Sequence, residues 1–148
     1  MNLSLLTFSM IPDVLLRKLD AEKLCRICTD NGIDRIDPIR DELKLYGKEK
    51  LKKAMQAASV SCGCLIANVD FLGEPHKANA ILREVLTDCR ELGTDQLMIV
   101  PGQALDNRKK RVRSLSRKEM MEEAVRFFRL SCNMDISAAE LSYSVMSR

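Results

Sequence analysis

Six cysteines, one histidine and one dense run of bases are the groups in this 148-residue chain whose chemistry comes to mind first. Cys25-x2-Cys28 and Cys62-x-Cys64 are spaced like zinc half-sites, because two nearby thiolates can chelate one ion. However, Cys25 and Cys28 fall inside an amphipathic helical pattern, and Cys62 and Cys64 fall on one face of a strand pattern. No secretory signal accompanies them, so a disulfide framework is not expected and the cysteines read as small buried hydrophobes. His76 follows Pro75 near a helix start, away from any Cys, Ser or paired acid that would make a triad or a zinc site. The run Asn107-Arg108-Lys109-Lys110-Arg111-Val112-Arg113 resembles a nucleic-acid or localisation patch by composition. A solvated loop explains it as well.

Composition narrows the classes. The chain is 46% apolar and 30% charged, ordinary for a folded soluble domain, and its net charge of +3 is too small to argue for nucleic acid. Aromatic residues make up 4%, with no Trp, so a base-stacking platform is not expected. No apolar stretch approaches the roughly 20 residues of a membrane helix. Met1–Ser9 is short and lacks the basic start of a signal peptide, so it reads as a first strand and the expected location is the cytoplasm.

The elements that must position these residues follow one grammar. Cys89-Arg90-Glu91-Leu92-Gly93-Thr94-Asp95 ends a helix at a glycine that can take positive φ. Gln96–Val100 is then a short apolar run, as in a strand covered on both faces, and Pro101-Gly102 stops it. Cys28–Asp34 repeats the pattern C-x3-G-x-D, and Cys132–Asp135 echoes it weakly. Strands are expected at Leu3–Ser9, Ile33–Ile39, Val60–Val69 and Gln96–Val100. Helices are expected from Asp20 to Gly32, over Lys48–Ala58, over His76–Leu92, and after the capping box Ser116-Arg117-Lys118-Glu119. The last helix is expected to bury Met121, Ala124, Val125, Phe128 and Cys132. Arg40–Gly47 reads as a polar loop. Alternating β and α units require a parallel sheet with right-handed crossovers. An open doubly wound sheet and part of a (β/α)₈ barrel both fit. No G-x-G-x-x-G follows the first strand, and a complete barrel needs about 250 residues.

The succession LDAEKLCRICTDNGIDRID, a loop ending LYG, VSCGCLIANVDF and CRELGTDQLMIVPGQ resembles the sugar phosphate isomerase/epimerase family of xylose-isomerase-like TIM barrels. The resemblance runs from about Met1 to Met134. It implies a half TIM barrel over residues 1–134, with about four βα units and a fragment of a fifth strand, followed by a divergent tail over 135–148. It also implies a divalent metal (Mn, Mg, Co or Zn) at the carboxyl ends of the strands, and aldose–ketose isomerisation or epimerisation of a sugar or sugar phosphate. The family's metal carboxylates and His come mostly from the fifth strand onward. Glu140 is the nearest candidate for that carboxylate. The catalytic half is therefore expected to be missing, and the chain inactive alone.

Substrate contact is expected from Asp37, at the end of the second strand, where a carboxylate can accept from sugar hydroxyls. Asn68 and Gly102, at the ends of the third and fourth strands, would line the same mouth. Arg108 would attract an anion such as a phosphate. A homodimer or a complementary half-barrel is the expected protein partner. A non-catalytic half-barrel module is the competing reading. An apurinic endonuclease-like repair protein is a weaker one, because that relative uses several His residues where this chain has Ala67-Asn68 and Pro101-Gly102.

Overall fold

The computed structural model describes residues 3–10, 12–13, 16, 19–72, 74–101 and 114–132. Strand β1 (Ser4–Leu6) leads into a 3-10 turn, and helix α1 (Ala21–Asp30) follows, then β2 (Arg35–Asp37). A second 3-10 turn (Arg40–Glu42) runs into the one-turn helix α2 (Leu43–Tyr46) and then α3 (Lys48–Ala58). Next come β3 (Ser61–Cys62), β4 (Leu65–Val69), α4 (Pro75–Leu92), β5 (Leu97–Pro101) and α5 (Arg117–Cys132). All strand pairs are parallel.

The strands form ladders β1-β2-β3 and β4-β5. One hydrogen bond from Ile66 N–H to the Pro38 carbonyl (2.9 Å) and the parallel bridge Ile39–Ile66 join them into a single sheet. The expected third strand is therefore bent, with β3 and β4 as its two arms. Ile36 pairs with Cys62 and Ile39 with Ile66, so three steps on β2 face four on the neighbouring strand. That extra residue is a β-bulge, which increases local twist and bends the strand. Spatial order thus follows chain order, without the reversal that marks a doubly wound sheet. The sheet also curls. A Cβ on Gly63 would lie 3.2 Å from Ser4 Oγ, two strands away. Flat strands at that separation stand about 9.6 Å apart. This is a partial TIM-barrel-like α/β fold.

Helix ends show why the repeat works. In both C-x3-G-x-D copies the glycine has positive φ, +66° at Gly32 and +72° at Gly93. Ile33 N–H reaches the Cys28 carbonyl (2.8 Å) and Thr94 N–H reaches the Cys89 carbonyl (3.0 Å). These bonds satisfy carbonyls that a helix end leaves free. Ser59 shows the same geometry, and the weak echo at Cys132–Asp135 runs outside the described residues. Ser59 has φ +55°, and Val60 N–H bonds the Met55 carbonyl at 2.9 Å.

The core lies between the sheet and the helices, with Leu24, Ile36, Leu51, Leu65, Leu82 and Val85 at its centre. Two expectations change. Arg40–Gly47 is helical over most of its length, not an open loop. Helix α5 turns a shifted face inward: Ala124 and Phe128 pack against the core as expected, but Met121 is 60% exposed and Val125 45%, and Phe127 is buried in their place; the Cys132 side chain lies outside the described residues. Phe127 stacks on Phe71 with centroids 4.7 Å apart, and Phe128 meets the same ring edge-on. Aromatic pairing outweighs the alternative stripe because a stacked pair adds about 0.5–1.5 kcal/mol beyond area burial. The Ser116–Glu119 capping box forms as expected, with Ser116 N–H to Glu119 Oε2 at 2.7 Å and Glu119 N–H to Ser116 Oγ at 3.3 Å.

Candidate functional site

The concave face of the sheet is set by alternation. Ile36, Leu65, Ala67, Val69, Leu97 and Ile99 face the helices and join the core. Their neighbours Asp37, Ile66, Asn68, Met98 and Val100 therefore face the inner side. Gly63 shares that face with Ser4, Arg35 and Asp37, whose atoms lie within 3.4 Å of a Cβ built on it.

Asp37 has a definite local task. Its Oδ1 accepts from Cys64 N–H at 2.9 Å, which satisfies a backbone donor that the bulge takes out of the ladder. The Gly63 carbonyl is satisfied from the other side by the Thr94 hydroxyl at 2.9 Å. A methyl at position 63 would sit 2.6 Å from Asp37 Oδ1, so glycine is what permits the brace. Asn68 is exposed at the carboxyl end of β4, opposite Val100 on β5. Relative to the Ile39–Ile66 bridge, Asp37 is two residues before and Asn68 two residues beyond. They share a face at different depths, roughly 13 Å apart along the strands. Gly102, Arg108 and Glu140 lie outside the described residues, as does the 135–148 tail.

Arg35, half-buried on the inner face, was not singled out by sequence reasoning. A basic residue opening a strand carries no signal of its direction until the register is known. The Glu42 carboxylate is a second such group. It is 3% exposed and accepts from the Thr7 hydroxyl, with Ile39 N–H at 3.4 Å. The same hydroxyl lies 3.4 Å from the Asp37 carbonyl, so Thr7 ties the carboxyl ends of β1 and β2 together. Glu42 Oε1 and the Tyr46 hydroxyl are buried without hydrogen-bond partners. Burial, followed by the nearby Glu42 charge, pushes the Tyr46 phenol above its ordinary range. Only the spacing Ile39-x-x-Glu42, which resembles a carboxylate reaching back to a turn's first N–H, hinted at this.

Four of the cysteines behave as inert core, while Cys64 is half-buried. Cys25, Cys28, Cys62 and Cys89 are buried free thiols. Burial pushes Cys25 up to about 11, and Cys62 and Cys89 up to about 12, so thiolate is scarce at neutral pH. Among the described residues no group of three His, Cys, Asp or Glu could hold a metal ion. Cavities exist elsewhere. A groove of about 1060 Å³ between α1 and α3 is lined by Cys25, Tyr46, Lys50 and Lys53, and a smaller one of about 290 Å³ by His76, Asn79 and Arg126. Neither includes Asp37 or Asn68. No helix among the described residues is long and apolar enough to cross a membrane.

The fold and face are those of one wall of a parallel barrel, and solved structures agree. No family model and no curated protein matches the chain. The chain is similar to the probable 3-DHS dehydratase AsbF, involved in petrobactin synthesis, from Bacillus anthracis, with TM-score 0.61 and 14% identity over 89% of this chain and 47% of that one. It is also similar to protein SMc04130 from Sinorhizobium meliloti 1021, with TM-score 0.56 and 19% identity over 96% of this chain and 50% of that one. Both have the xylose-isomerase-like TIM-barrel fold. The chain spans about half the length of each.

Proposed function

We propose that this chain is the amino-terminal wall of an isomerase- or epimerase-like barrel that binds a sugar or sugar phosphate at the carboxyl ends of its strands. The observation that carries this is Asn68, an exposed amide on the concave face at the carboxyl end of β4, where parallel barrels build their sites. An amide there both donates to and accepts from hydroxyls, as a polyol requires. Asp37, deeper on the same face, makes no hydrogen bond through Oδ2 among the described residues, while Oδ1 holds the bulge.

The described residues do not fit the divalent metal that the resemblance implies, because no ligand cluster exists among them. No chemical step is routed through such an ion. The contribution of this wall is binding and orientation. One structural neighbour is named a probable dehydratase, a different reaction class, and binding alone does not separate the two.

The test is saturation-transfer NMR of the full chain with D-fructose and D-fructose 6-phosphate. Weak, saturable binding that Asn68→Ala abolishes, with unchanged circular dichroism, supports the reading. Absence of transfer to either ligand at tens of millimolar overturns it.

A further inference from the structure

We infer that Glu42 is a positioning residue of the concave face: it clamps the carboxyl ends of β1 and β2 at their junction with β4, and so sets where Asn68 stands relative to Asp37 without touching a ligand. The consequence for sugar binding rests on the function proposed above. The clamp itself does not.

Glu42 ends the 3-10 turn that follows β2, and its own N–H bonds back to the Ile39 carbonyl at 2.9 Å. Its side chain returns to the same residue. Oε2 accepts from Ile39 N–H at 3.4 Å, so backbone and carboxylate close one turn reciprocally. The same oxygen accepts from the hydroxyl of Thr7, which directly follows β1. One oxygen thus gathers the ends of two strands. The third strand joins at the next residue. Ile39 bridges Ile66 in parallel, and Ile66 N–H bonds the carbonyl of Pro38 at 2.9 Å. Asn68 lies two residues beyond Ile66 on β4, and Asp37 two residues before Ile39. The path from Asp37 to Asn68 therefore runs through Pro38, Ile39 and Ile66, and the carboxylate holds its middle. Water is shut out: Thr7 is 0% exposed and Glu42 3%. A donor that loses this acceptor finds no replacement in solvent. Glu42 Oε1 has no partner, which costs stability. An apolar side chain would avoid that cost but would leave two donors unpaired, the Thr7 hydroxyl and Ile39 N–H.

Amide hydrogen exchange of the full chain, read by NMR, tests the clamp, because a local opening speeds only the amides it frees. Glu42→Ala should speed exchange at the Ile66 amide by about tenfold or more, measured against the Leu82 and Val85 amides of α4. It should also weaken binding of D-fructose 6-phosphate by about fivefold or more. Glu42→Gln keeps an acceptor oxygen in place and should restore both. Thr7→Val removes the hydroxyl at nearly constant shape, and gives the same selective readout if Glu42→Ala does not fold. Ile66 exchange that the variant leaves unchanged, equal acceleration of the α4 amides, or a Glu42→Gln protein that behaves like Glu42→Ala each overturns the clamp. Selective acceleration with unchanged sugar binding overturns the positioning role. A native chain that binds no sugar removes the function proposed above, and exchange at Ile66 then still decides whether Glu42 holds the strands.

Discussion

At the scale of single residues, the backbone conformation of two helix-end positions sets opposite outcomes. Ser59 pays for φ +55° with contacts between its Cβ and the backbone, so Ser59→Gly should stabilise the chain by about 0.5–1 kcal/mol. Gly93→Val should destabilise it by about 1–3 kcal/mol through φ alone, because nothing lies within 4 Å of the new Cβ. Urea midpoints check both, and a shift of the same sign for the pair contradicts the shared helix-end geometry. The bulge offers a sharper measurement. Asp37→Ala leaves Cys64 N–H without its acceptor, at a cost of about 1–3 kcal/mol. Gly63→Ala drives a methyl against Asp37 Oδ1 and should cost a similar amount. The double variant should cost clearly less than the sum, since both changes break one contact. Strict additivity would show that Asp37 and Gly63 act independently. Gly93 was legible because glycine before an apolar run has one common use. Ser59 was not, since nothing in Ala57-Ala58-Ser59-Val60 distinguishes a left-handed serine from an ordinary one.

Among elements, the chain's own helices and strands were readable from periodicity, but their mutual attachments were not. Helix α3 was expected over its observed bounds, Lys48–Ala58; of its expected inward residues Leu51, Ala54 and Met55 are buried and Ala58 is half-buried. Helix α5 began where the capping box put it, and Ala124 and Phe128 pack inward as expected, but Phe127 takes the place of Met121 and Val125 because Phe71, some 56 positions earlier, stacks on it. The same holds for ions. Asp88 on α4 receives Arg40 Nε at 2.7 Å and Lys48 Nζ at 3.0 Å, while Arg40 also reaches Glu84 and Lys48 reaches Glu91. Residues 40 to 48 positions apart give no sequence signal of this. Burial pushes the Asp88 carboxyl up, but the Arg40 and Lys48 contacts outweigh it and hold it below its usual value. A depressed folded pKa means the stabilisation is fully present above the unfolded value of about 3.9 and is lost as pH falls through the folded value. Stability should therefore decline in acid below about pH 4. With the Asp88 side chain only 13% exposed, Asp88→Asn should cost about 2–3 kcal/mol at pH 7. It should also flatten that acid limb. An unchanged slope of stability against pH in the variant would place the acid sensitivity elsewhere.

For the whole molecule, the decisive question is which groups the concave face can bring to one reacting atom. Consecutive parallel strands settle the barrel against the doubly wound sheet, a choice the sequence left open because both have the same β-α order. The face then carries Asn68 at the carboxyl end and Asp37 near the bulge, too far apart along the strands to hold one ion. Hard divalent cations need about six oxygen donors in one shell, and no cluster among the described residues approaches that. Closing two identical walls would duplicate Asp37 and Asn68 but, among the described residues, introduce no new kind of ligand and no base. The full chain is therefore expected to show no aldose–ketose interconversion with Mn²⁺, Mg²⁺ or Co²⁺. The most sensitive check is proton exchange at carbon 2 of D-glucose 6-phosphate in deuterated water, since an isomerase that works by proton transfer washes in deuterium even when net conversion is slow. No exchange above the protein-free rate is expected for the native chain and for Asp37→Asn alike. Metal-dependent exchange that Asp37→Asn abolishes would show that this wall carries the chemistry itself, and that Asp37 does more than brace the bulge.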